Sequence, residues 1–343
     1  MKLEKNNVAV VLGGAGFIGH HLGKRLKQQG KYVVVIDIKP NCEFTSLKDY
    51  YDLYIQEDLS IYPYQLYEIL DRERPSEIYN LACLMGGAGY IFTGENDYEI
   101  MSRSVAIHIN LLRGLEKYSL MKEIKVFYSS SACIYPAENQ TDPNNPNCKE
   151  DSAYPANPDS EYGWEKLFSE RLYLSAKRNL GLDVKIARFH NIYGPEGTYK
   201  GGKEKAPAAL CRKVAGAVKH KGGQGYRDYC KIEVWGDGEQ TRSFLYIEDC
   251  LDGIQALMAS NKTGPYNIGS EEMVSINELV DEISIASDYD IEIEHVPGPM
   301  GVRGRNSDNT LVKQDLNWEP KINLLTGICR TYDWIEKQVE NTK

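Results

Sequence analysis

The sequence lacks a long apolar run, a CxxC pair and an excess of positive charge. A membrane-spanning helix needs about 20 mainly apolar residues, so we expect no membrane partner. The eight cysteines show no metal-type clustering and the six histidines form no ligand-spaced set, so we expect no metal. A net charge of −9 argues against a general nucleic-acid binder, because binding to phosphates needs a concentrated basic surface.

The start of the chain also lacks a targeting signal. Residues 1–5 are not followed by the apolar segment of a secretory signal, so we expect a cytoplasmic protein with mostly reduced, buried cysteines. With 343 residues, of which 42% are hydrophobic, the chain is long enough for one large domain or two fused domains.

A glycine-rich turn follows the first apolar run, residues 8–12. Gly13, Gly16 and Gly19 have GxxGxxG spacing, and a helix is predicted from residue 17 to residue 29. The amides of such a turn, together with the helix N-terminus, bind pyrophosphate. We therefore predict that the three glycines, with Phe17 and Ile18, bind a dinucleotide.

Acidic residues after the next strands refine this prediction. The run 32–36 ends in Asp37, where an acid binds the ribose hydroxyls and disfavours a ribose phosphate, so NAD is expected rather than NADP. Asp58, after the run 53–57, either caps the adenine or is a simple loop acid. Leu81, in the run 77–82, is a further candidate cofactor contact.

Alternating strands and helices predict the fold class. Further strands are expected at 77–82, 125–129 and 183–189, which indicates an α/β protein with a Rossmann-type doubly wound parallel sheet. We assign residues 1–193 to an NAD-binding domain and residues 194–343 mainly to a smaller mixed α/β substrate domain. The chain is expected to return to the first domain around residues 244–259.

A tyrosine and a lysine form the second motif. Tyr162 and Lys166 are four residues apart, which places them on one face of a helix. A tyrosine that acts as a base at neutral pH needs a nearby positive charge, since its ordinary pKa is about 10. Lys166 supplies such a charge, and Ser131, at the end of a predicted strand, is placed to hydrogen-bond the reacting oxygen.

These motifs together resemble those of the extended short-chain dehydrogenase/reductase family. They are Gly13-x-x-Gly16-x-x-Gly19, Asn80-Leu81-Ala82, Ser131, and the pair Tyr162 and Lys166. The resemblance covers essentially the whole chain. It implies a tightly held NAD and a nucleotide-sugar substrate that is reversibly oxidised at a hydroxyl.

A closer resemblance is to the epimerase subfamily that acts on GDP-mannose. It is carried by residues 85–87, 130–136, 188–195, 200–207, 235–238, 240–244, 267–270 and 301–309. It implies that Cys133 and Lys205 are the acid/base pair, that Ser131, Tyr162 and Lys166 act on the C4 hydroxyl, and that Arg305 engages the diphosphate. A GDP-hexose substrate and a homodimer are also implied.

The chemistry agrees with these roles. A hydrogen on C3 or C5 of a hexose becomes acidic once C4 is a ketone. Inversion then requires one group to remove a proton and a second group to deliver one to the opposite face. Cys133 and Lys205 are suited to these two tasks because the pKa of a thiol or an amine is readily shifted by its surroundings.

Other polar and glycine positions are candidate substrate contacts. Gly86 and Gly87 allow the backbone to pass close to a sugar, and Arg242 has donors suited to a diphosphate or a sugar hydroxyl. Asn191 either holds a sugar hydroxyl or ties down a loop. Segments 90–98 and 219–230 depart from the subfamily pattern, which leaves the base and the hexose open.

Two alternative enzymes share the fold, and a third alternative is not an enzyme. A 4,6-dehydratase is disfavoured because Ala132 and Cys133 stand where an Asp-Glu pair is expected. A 4-epimerase is the runner-up, since it needs only Ser131, Tyr162 and Lys166 and leaves Cys133 without a role. A nucleotide-sensing binding protein without catalysis is the non-enzyme alternative, which the presence of Tyr162 and Lys166 disfavours.

Overall fold

The structure, a computed structural model, describes residues 7–42, 47–222, 226–299 and 301–341. The start segment 1–5 lies outside the described residues, as do residues 223–225 of the divergent segment 219–230. Within the described ranges, no helix has both the length and the apolar character needed to cross a membrane.

The described chain alternates strands and helices. The strands are β1 (Val8–Leu12), β2 (Tyr32–Asp37), β3 (Leu53–Gln56), β4 (Glu77–Asn80), β5 (Lys125–Ser131), β6 (Asp183–Phe189), β7 (Ile192–Tyr193), β8 (Tyr229–Trp235), β9 (Thr241–Ser243), β10 (Leu245–Tyr246), β11 (Tyr266–Ile268), β12 (Met273–Ser275), β13 (Asp290–Val296) and β14 (Gly304–Arg305). The α-helices are α1 (Phe17–Gln28), α2 (Leu47–Tyr50), α3 (Tyr64–Arg72), α4 (Ala88–Ile91), α5 (Asp97–Lys117), α6 (Glu161–Leu180), α7 (Ala206–Gly216), α8 (Ile247–Ala259), α9 (Ile276–Ser287), α10 (Thr310–Leu316) and α11 (Leu324–Glu340). Short 3₁₀ helices span Ala132–Ile134, Ala137–Gln140 and Glu150–Ala153.

Seven parallel strands form the main sheet, in the order β11-β6-β5-β4-β1-β2-β3. All of β1 is buried because successive side chains point to opposite covered faces. Val8, Val10 and Leu12 pack in the core that includes side chains of α3, α5 and α6, whereas Ala9 and Val11 pack in the core that includes α1 and α8. The predicted doubly wound α/β fold is confirmed.

The strand order places a crevice beside β1. The chain runs outward from β1 to β2 and β3 on one side, and from β4 to β5 and β6 on the other. Ligands bind such sheets at the carboxyl ends of the strands near this reversal. The turn at Gly13, the end of β4 and Ser131 all lie at those ends.

The later part of the chain contributes to both the sheet and the site. Helix α8 packs against β5 and β6, and β11 pairs with β6. Strands β9 and β14 pair so that Arg242 and Arg305 are in register. The division at residue 193, with a return near residues 244–259, stays a prediction.

Candidate active site

A cavity of about 260 Å³ opens at the carboxyl ends of the strands. Nine of the residues predicted to be catalytic or substrate-binding line it: Gly86, Gly87, Ser131, Cys133, Tyr162, Asn191, Lys205, Arg242 and Arg305. They come from widely separated parts of the sequence, so the fold creates this concentration of polar groups. Lys166 lies directly behind Tyr162.

Tyr162 and Lys166 lie on the first two turns of α6, which begins after the N-cap residue Ser160. The Nζ of Lys166 lies 5.6 Å from the centroid of the Tyr162 ring and donates a hydrogen bond of 3.0 Å to the carbonyl of Ser129. Ser131 adjoins Tyr162 and partly offsets the rise in its pKa. The structure therefore brings the three side chains together.

The electrostatics of these residues favour a charged lysine and a protonated tyrosine. Burial, followed by the negative charges of Cys83 and Cys133, raises the pKa of Tyr162 well above 10. Burial lowers the pKa of Lys166, but the charges of Cys83 and Glu165 outweigh it, so this pKa is raised overall. Lys166 is thus a permanent positive charge behind the tyrosine.

A close backbone contact joins the tyrosine helix to the cysteine segment. A Cβ on Gly163 would lie 2.1 Å from the carbonyl oxygen of Cys133, which no side chain can tolerate. Glycine at this position lets the start of α6 pack directly on the 3₁₀ turn that carries Cys133. Tyr162 and Cys133 therefore face the same cavity.

Arg305 lies against the Cys133 thiol. Its Nη1 donates to Sγ at 3.1 Å, its Nη2 donates to Asp159 Oδ2 at 3.0 Å and its Nε donates to Gln140 Oε1 at 2.5 Å. The sequence suggested the diphosphate as the partner of Arg305, whereas these contacts make it a neighbour of Cys133. Gln140 and Asp159 were missed because nothing in their local sequence distinguishes them.

Lys205 lies at the N-cap of α7 and is partly buried. Burial lowers its pKa below 10.5; the charge of Cys133 partly opposes this effect and that of Arg305 adds to it. Its neutral amine is therefore more accessible than that of an exposed lysine, as a proton acceptor requires.

Glu165 and His108 form a buried polar pair next to Lys166, which the sequence did not reveal. The Oε2 atom of Glu165 lies 4.0 Å from Lys166 Nζ, and its Oε1 lies 3.2 Å from His108 Nε2. His108 Nδ1 lies 2.9 Å from the Asn80 amide nitrogen. His108 and Glu165 are fully buried, and burial lowers the pKa of His108, so the histidine is neutral.

Cys83 is a second thiol at the site. Burial raises its pKa, while the charges of Lys166 and Lys205 lower it. No spacing signal pointed to Cys83, because it lies at the end of an ordinary strand-to-loop segment.

The lining of the cavity also contains acceptor oxygens without hydrogen-bond partners. Glu204 Oε2 and Gln240 Oε1 are buried and unpaired, and both residues line the cavity. The other carboxylate oxygen of Glu204 accepts from Arg212 Nη2 at 3.2 Å. This region is therefore suited to a ligand that presents N–H donors.

The predicted glycines have backbone roles here. A Cβ on Gly87 would lie 2.2 Å from the carbonyl oxygen of Glu204, and one on Gly86 would lie 2.6 Å from the Cβ of Tyr90. The Gly87 amide also donates to the carbonyl of Lys203 at 3.0 Å. These glycines allow the loop after β4 to approach the segment that carries Lys205.

Asn191 and Arg242 are anchored by backbone carbonyls. The Asn191 amide donates to the Ser243 carbonyl at 2.9 Å, so in this structure it ties down a loop. Arg242 donates to the carbonyls of Thr241 and Val302, at 2.7 and 2.8 Å. Burial and the charge of Arg305 lower the Arg242 pKa to about 10.

The glycine-rich turn fits a dinucleotide. Gly13 has φ +76°, and a Cβ there would lie 2.8 Å from the backbone nitrogen of Ala82. A Cβ on Gly19 would lie 2.3 Å from the Gly13 carbonyl oxygen, so the helix packs this closely only with glycine. The turn thus presents bare backbone amides at the α1 N-terminus, as pyrophosphate binding requires.

Hydrogen bonds also hold the two acidic residues on the side of the cleft where adenosine is expected. The Asp37 carboxylate is held at the end of β2 by the backbone N–H groups of Ala15 and Lys39, both at 2.9 Å. The Asp58 carboxylate accepts from Ser60 and from Arg103 Nη2, the latter at 2.6 Å. Asp58 is thus a loop anchor here, and its contact with adenine stays a prediction.

The remaining cofactor candidates lie around the same cleft. Gly16 is the N-cap of α1, Phe17 and Ile18 are its first two residues, and Leu81 directly follows β4. Their predicted contacts with NAD are compatible with these positions.

Sequence comparison matches residues 9–269 to the model of the NAD dependent epimerase/dehydratase family. The chain is 40% identical over 347 residues to GDP-mannose 3,5-epimerase 1 of Oryza sativa subsp. indica, covering 99% of this chain and 84% of that protein. GDP-mannose 3,5-epimerase of Arabidopsis thaliana is 40% identical over 337 residues, covering 97% and 83%. UDP-glucuronic acid decarboxylase 1 of Arabidopsis thaliana is 30% identical, covering 97% and 70%.

Solved structures match the fold. The UDP-glucose 4-epimerase of Thermotoga maritima, with UDP-glucose, has a TM-score of 0.81 at 24% identity and covers 97% of this chain and 99% of that chain. That of Thermus thermophilus, in complex with NAD, has a TM-score of 0.77 at 21% identity, with 96% and 98% covered. The predicted fold, NAD cofactor and epimerase class are confirmed. The chain belongs to the NAD dependent epimerase/dehydratase family, whose motifs are those of the extended short-chain dehydrogenases/reductases.

Proposed function

We propose that this protein is an NAD-dependent epimerase of a GDP-hexose that inverts C3, C5 or both. The observation that carries the proposal is a second pair of proton-transfer groups, Cys133 and Lys205, lining the same cavity as Ser131 and Tyr162. A 4-epimerase has no use for this pair. Two relatives at 40% identity are named GDP-mannose 3,5-epimerases, which supports the same substrate class.

Tyr162, Ser131 and Lys166 act at the C4 hydroxyl. NAD, when bound at the glycine-rich turn, would supply the hydride acceptor for oxidation at C4 and the hydride donor for the final reduction. Ser131 and Tyr162 hold the C4 oxygen, and Tyr162 accepts the hydroxyl proton once it is a phenolate. The positive charge of Lys166, together with that of an oxidised nicotinamide when bound, would favour this phenolate over the protonated form that burial favours. Lys166 stabilises the phenolate, because its charged Nζ is buried behind the ring. Tyr162 returns the proton when C4 is reduced, so the cycle has no net redox change.

Cys133 and Lys205 invert the carbon next to the ketone. One of them takes the proton from C3 or C5, which leaves an enolate on the C4 oxygen. The other gives a proton to the opposite face of the same carbon. The lowered pKa of Lys205 supports its role, because an amine that loses its proton more easily can act as base and then as acid.

Arg305 positions Cys133 in this proposal. Its guanidinium is buried and held by Asp159 and Gln140, and it donates to the sulfur at 3.1 Å. This contact fixes the position of Sγ in the cavity. An additional contact between Arg305 and the diphosphate stays part of the proposal.

The unpaired acceptor oxygens of the cavity lining support guanine as the base. Guanine presents two neighbouring N–H donors on its pairing edge, whereas uracil presents one N–H between two carbonyl oxygens. Buried, unpaired Glu204 Oε2 and Gln240 Oε1 match donors rather than carbonyls. A carboxylate facing a uracil carbonyl would lack a partner, which is costly in a buried site.

We also propose a homodimer formed through α5 and α6. Trp164 and Phe168 lie one turn apart on α6 and remain 39% and 48% exposed, although they are large apolar side chains. A second copy of the helix pair would cover them. The variant Phe168→Glu is expected to yield monomers in light scattering after gel filtration, and a wild-type monomer would refute the assembly.

A cytoplasmic location is proposed as well. Within the described residues none of the eight cysteines forms a disulfide, as a reducing compartment favours. Fractionation of cells that produce the protein is expected to place it with the cytoplasmic enzymes, and recovery in another compartment would overturn the assignment.

The function is tested with a panel of nucleotide sugars. Tag-free protein is incubated with GDP-mannose, UDP-glucose and UDP-glucuronic acid, and each product is identified by NMR. We expect new epimers from GDP-mannose only, with a loss of at least about a hundredfold in Cys133→Ala, since general acid–base groups contribute about 10²–10⁴-fold. Cys329→Ala, a thiol on the remote helix α11, is the matched control. Conversion of a UDP-sugar at C4 by Cys133→Ala would instead identify a 4-epimerase.

A further inference from the structure

A cluster of potential metal ligands lies outside the cavity, at the start of α1. His20 and His21 are consecutive on the first turns of this helix, and Glu196 reaches them from the loop after β7. One ligand atom from each residue lies within 4.8 Å of the other two. Glu196 is 176 positions from His20, so spacing along the chain gave no sign of the cluster.

The distances fit a single small ion. Glu196 Oε2 lies 2.9 Å from His20 Nε2 and 3.9 Å from His21 Nε2. Two ligands bound about 2.0 Å from a tetrahedral zinc ion lie about 3.3 Å apart, and the two observed separations bracket this value. Small side-chain rotations would therefore place all three atoms around one ion.

The surroundings of the imidazoles match those of metal-bound histidines. His20 Nδ1 lies 2.9 Å from the carbonyl of Gly16, which leaves Nε2 to face Glu196. A metal-bound histidine commonly donates its other ring N–H to a carbonyl in this way. The side chain of Cys42 hydrogen-bonds His20 as well, so a thiol also adjoins the cluster.

We propose that His20, His21 and Glu196 form a binding site for a divalent transition-metal ion of the zinc type. Two imidazoles and a carboxylate are the ligand types that suit zinc and its neighbours in the first transition row. His20 is buried, whereas His21 and Glu196 keep 19% and 22% of their side chains exposed, so the ion enters from their side.

Lys24 competes with the ion. Its Nζ donates to Glu196 Oε2 at 3.0 Å, which makes the metal-free cluster a salt-bridge group. Each imidazole binds the ion through a deprotonated ring nitrogen. Lys24 then turns to the other Glu196 oxygen or to solvent.

The position of the site gives the ion a structural role. The loop 194–197 packs on the first turn of α1, since Cβ atoms on Gly194 and Gly197 would lie 3.5 and 3.4 Å from the Phe17 ring. An ion shared by His20, His21 and Glu196 would cross-link this loop to the dinucleotide-binding turn. The metal therefore stabilises the turn and takes no part in the proton transfers.

The test is a Co²⁺ titration, because tetrahedral Co²⁺ absorbs visible light. Tag-free protein is stripped with EDTA, titrated with Co²⁺ and back-titrated with Zn²⁺, with thermal midpoints recorded at each stage. The variants are His21→Gln, Glu196→Gln and Lys24→Met. His295→Gln changes an exposed histidine outside the cluster and is the matched control, and Cys133→Ala removes the active-site thiol as an alternative ligand.

We expect one Co²⁺ per chain, displaced by Zn²⁺, and a raised thermal midpoint with either metal. His21→Gln and Glu196→Gln should each weaken metal binding at least about tenfold. Mutation of the groups that merely hydrogen-bond metal ligands already lowers metal affinity by about 10–100-fold. His295→Gln and Cys133→Ala should bind as the wild type does, and Lys24→Met should bind more tightly. If the wild type does not bind one equivalent of Co²⁺, or if wild type and Glu196→Gln bind Co²⁺ with equal affinity, the cluster is a salt-bridge group only.

Discussion

Removal of Glu170 is expected to destabilise the protein strongly, because it leaves a buried arginine without its counter-ion. Arg188 donates to the two carboxylate oxygens of Glu170 at 2.9 and 2.8 Å, and both side chains are at most 3% exposed. Burial lowers the pKa of Arg188, but Glu170 outweighs it and raises this pKa, so the arginine stays charged. Ser130, next to the predicted catalytic Ser131, donates to Glu170 at 2.5 Å.

The expected loss follows from these contacts. Breaking a buried ion pair by removing one partner costs about 3–5 kcal/mol, since the remaining charge has no compensation. The Ser130 hydroxyl loses its acceptor as well, but Arg188 keeps bonds to Tyr135 and Glu150 through Nη1, at 3.2 and 2.9 Å. We therefore expect Glu170→Ala to lose about 3–5 kcal/mol of unfolding free energy.

Urea unfolding, followed by the fluorescence of the four tryptophans and by circular dichroism, measures this loss. Arg171→Ala, an exposed neighbour on α6, is the control and should change stability by less than about 0.5 kcal/mol. The double variant Glu170→Leu with Arg188→Met should recover most of the loss, because no charge is left buried. A loss below about 1 kcal/mol in Glu170→Ala would refute the reasoning.

Three further predictions concern buried titratable side chains. Glu165→Gln removes a negative charge 4.0 Å from Lys166 Nζ, so the Lys166 pKa should fall. The decline of kcat at high pH should therefore move to lower pH, and an unchanged pH profile of kcat would contradict this. Burial, with the charges of Arg305 and Arg188, lowers the His190 pKa to about 3. Below pH 6.5 the unfolded chain therefore binds a proton that the native state does not, which at pH 5.5 lowers the free energy of unfolding by about 1.4 kcal/mol. His190→Gln should remove this loss, as measured by urea titrations. Asp37→Asn should weaken NAD binding about tenfold or more and admit NADP, as measured by calorimetry, because Asp37 is the carboxylate expected at the ribose; unchanged NAD affinity contradicts that role.

Local sequence signals predicted the sheet well. Continuous apolar runs that end in glycines or acids located β1 and β2, and the observed β6 spans the same residues, 183–189, as predicted. β1 and β2 are buried on both faces, so their sequences are almost uniformly apolar, whereas β6 also contains Asp183, Lys185 and Arg188. The order β4-β1-β2 could be inferred only from the fold class, because pairing between distant strands leaves no trace in one sequence.

The site was predictable where a motif is local. The helical spacing of Tyr162 and Lys166 was sufficient to place them together, and Cys133 lies one turn beyond the strand that carries Ser131. The contact of Arg305 with Cys133 was not predictable, because β14 reaches the site through pairing with β9. Groups such as Glu165 and Cys83 gain their importance from burial next to Lys166, which the sequence does not reveal.

The central claim is that Cys133 and Lys205 exchange protons at a carbon next to a transient C4 ketone. It is tested most directly by incubating the protein with GDP-mannose in heavy water and locating deuterium in the recovered sugar by NMR. We predict deuterium at C3, C5 or both in the wild type, and at neither carbon in Tyr162→Phe or in the double variant Cys133→Ala with Lys205→Met, because the group that remains in either single variant can still exchange a proton on its own face. Deuterium at C3 or C5 that survives in the double variant would contradict the assignment of this pair, and its absence from the wild type would contradict the epimerisation itself.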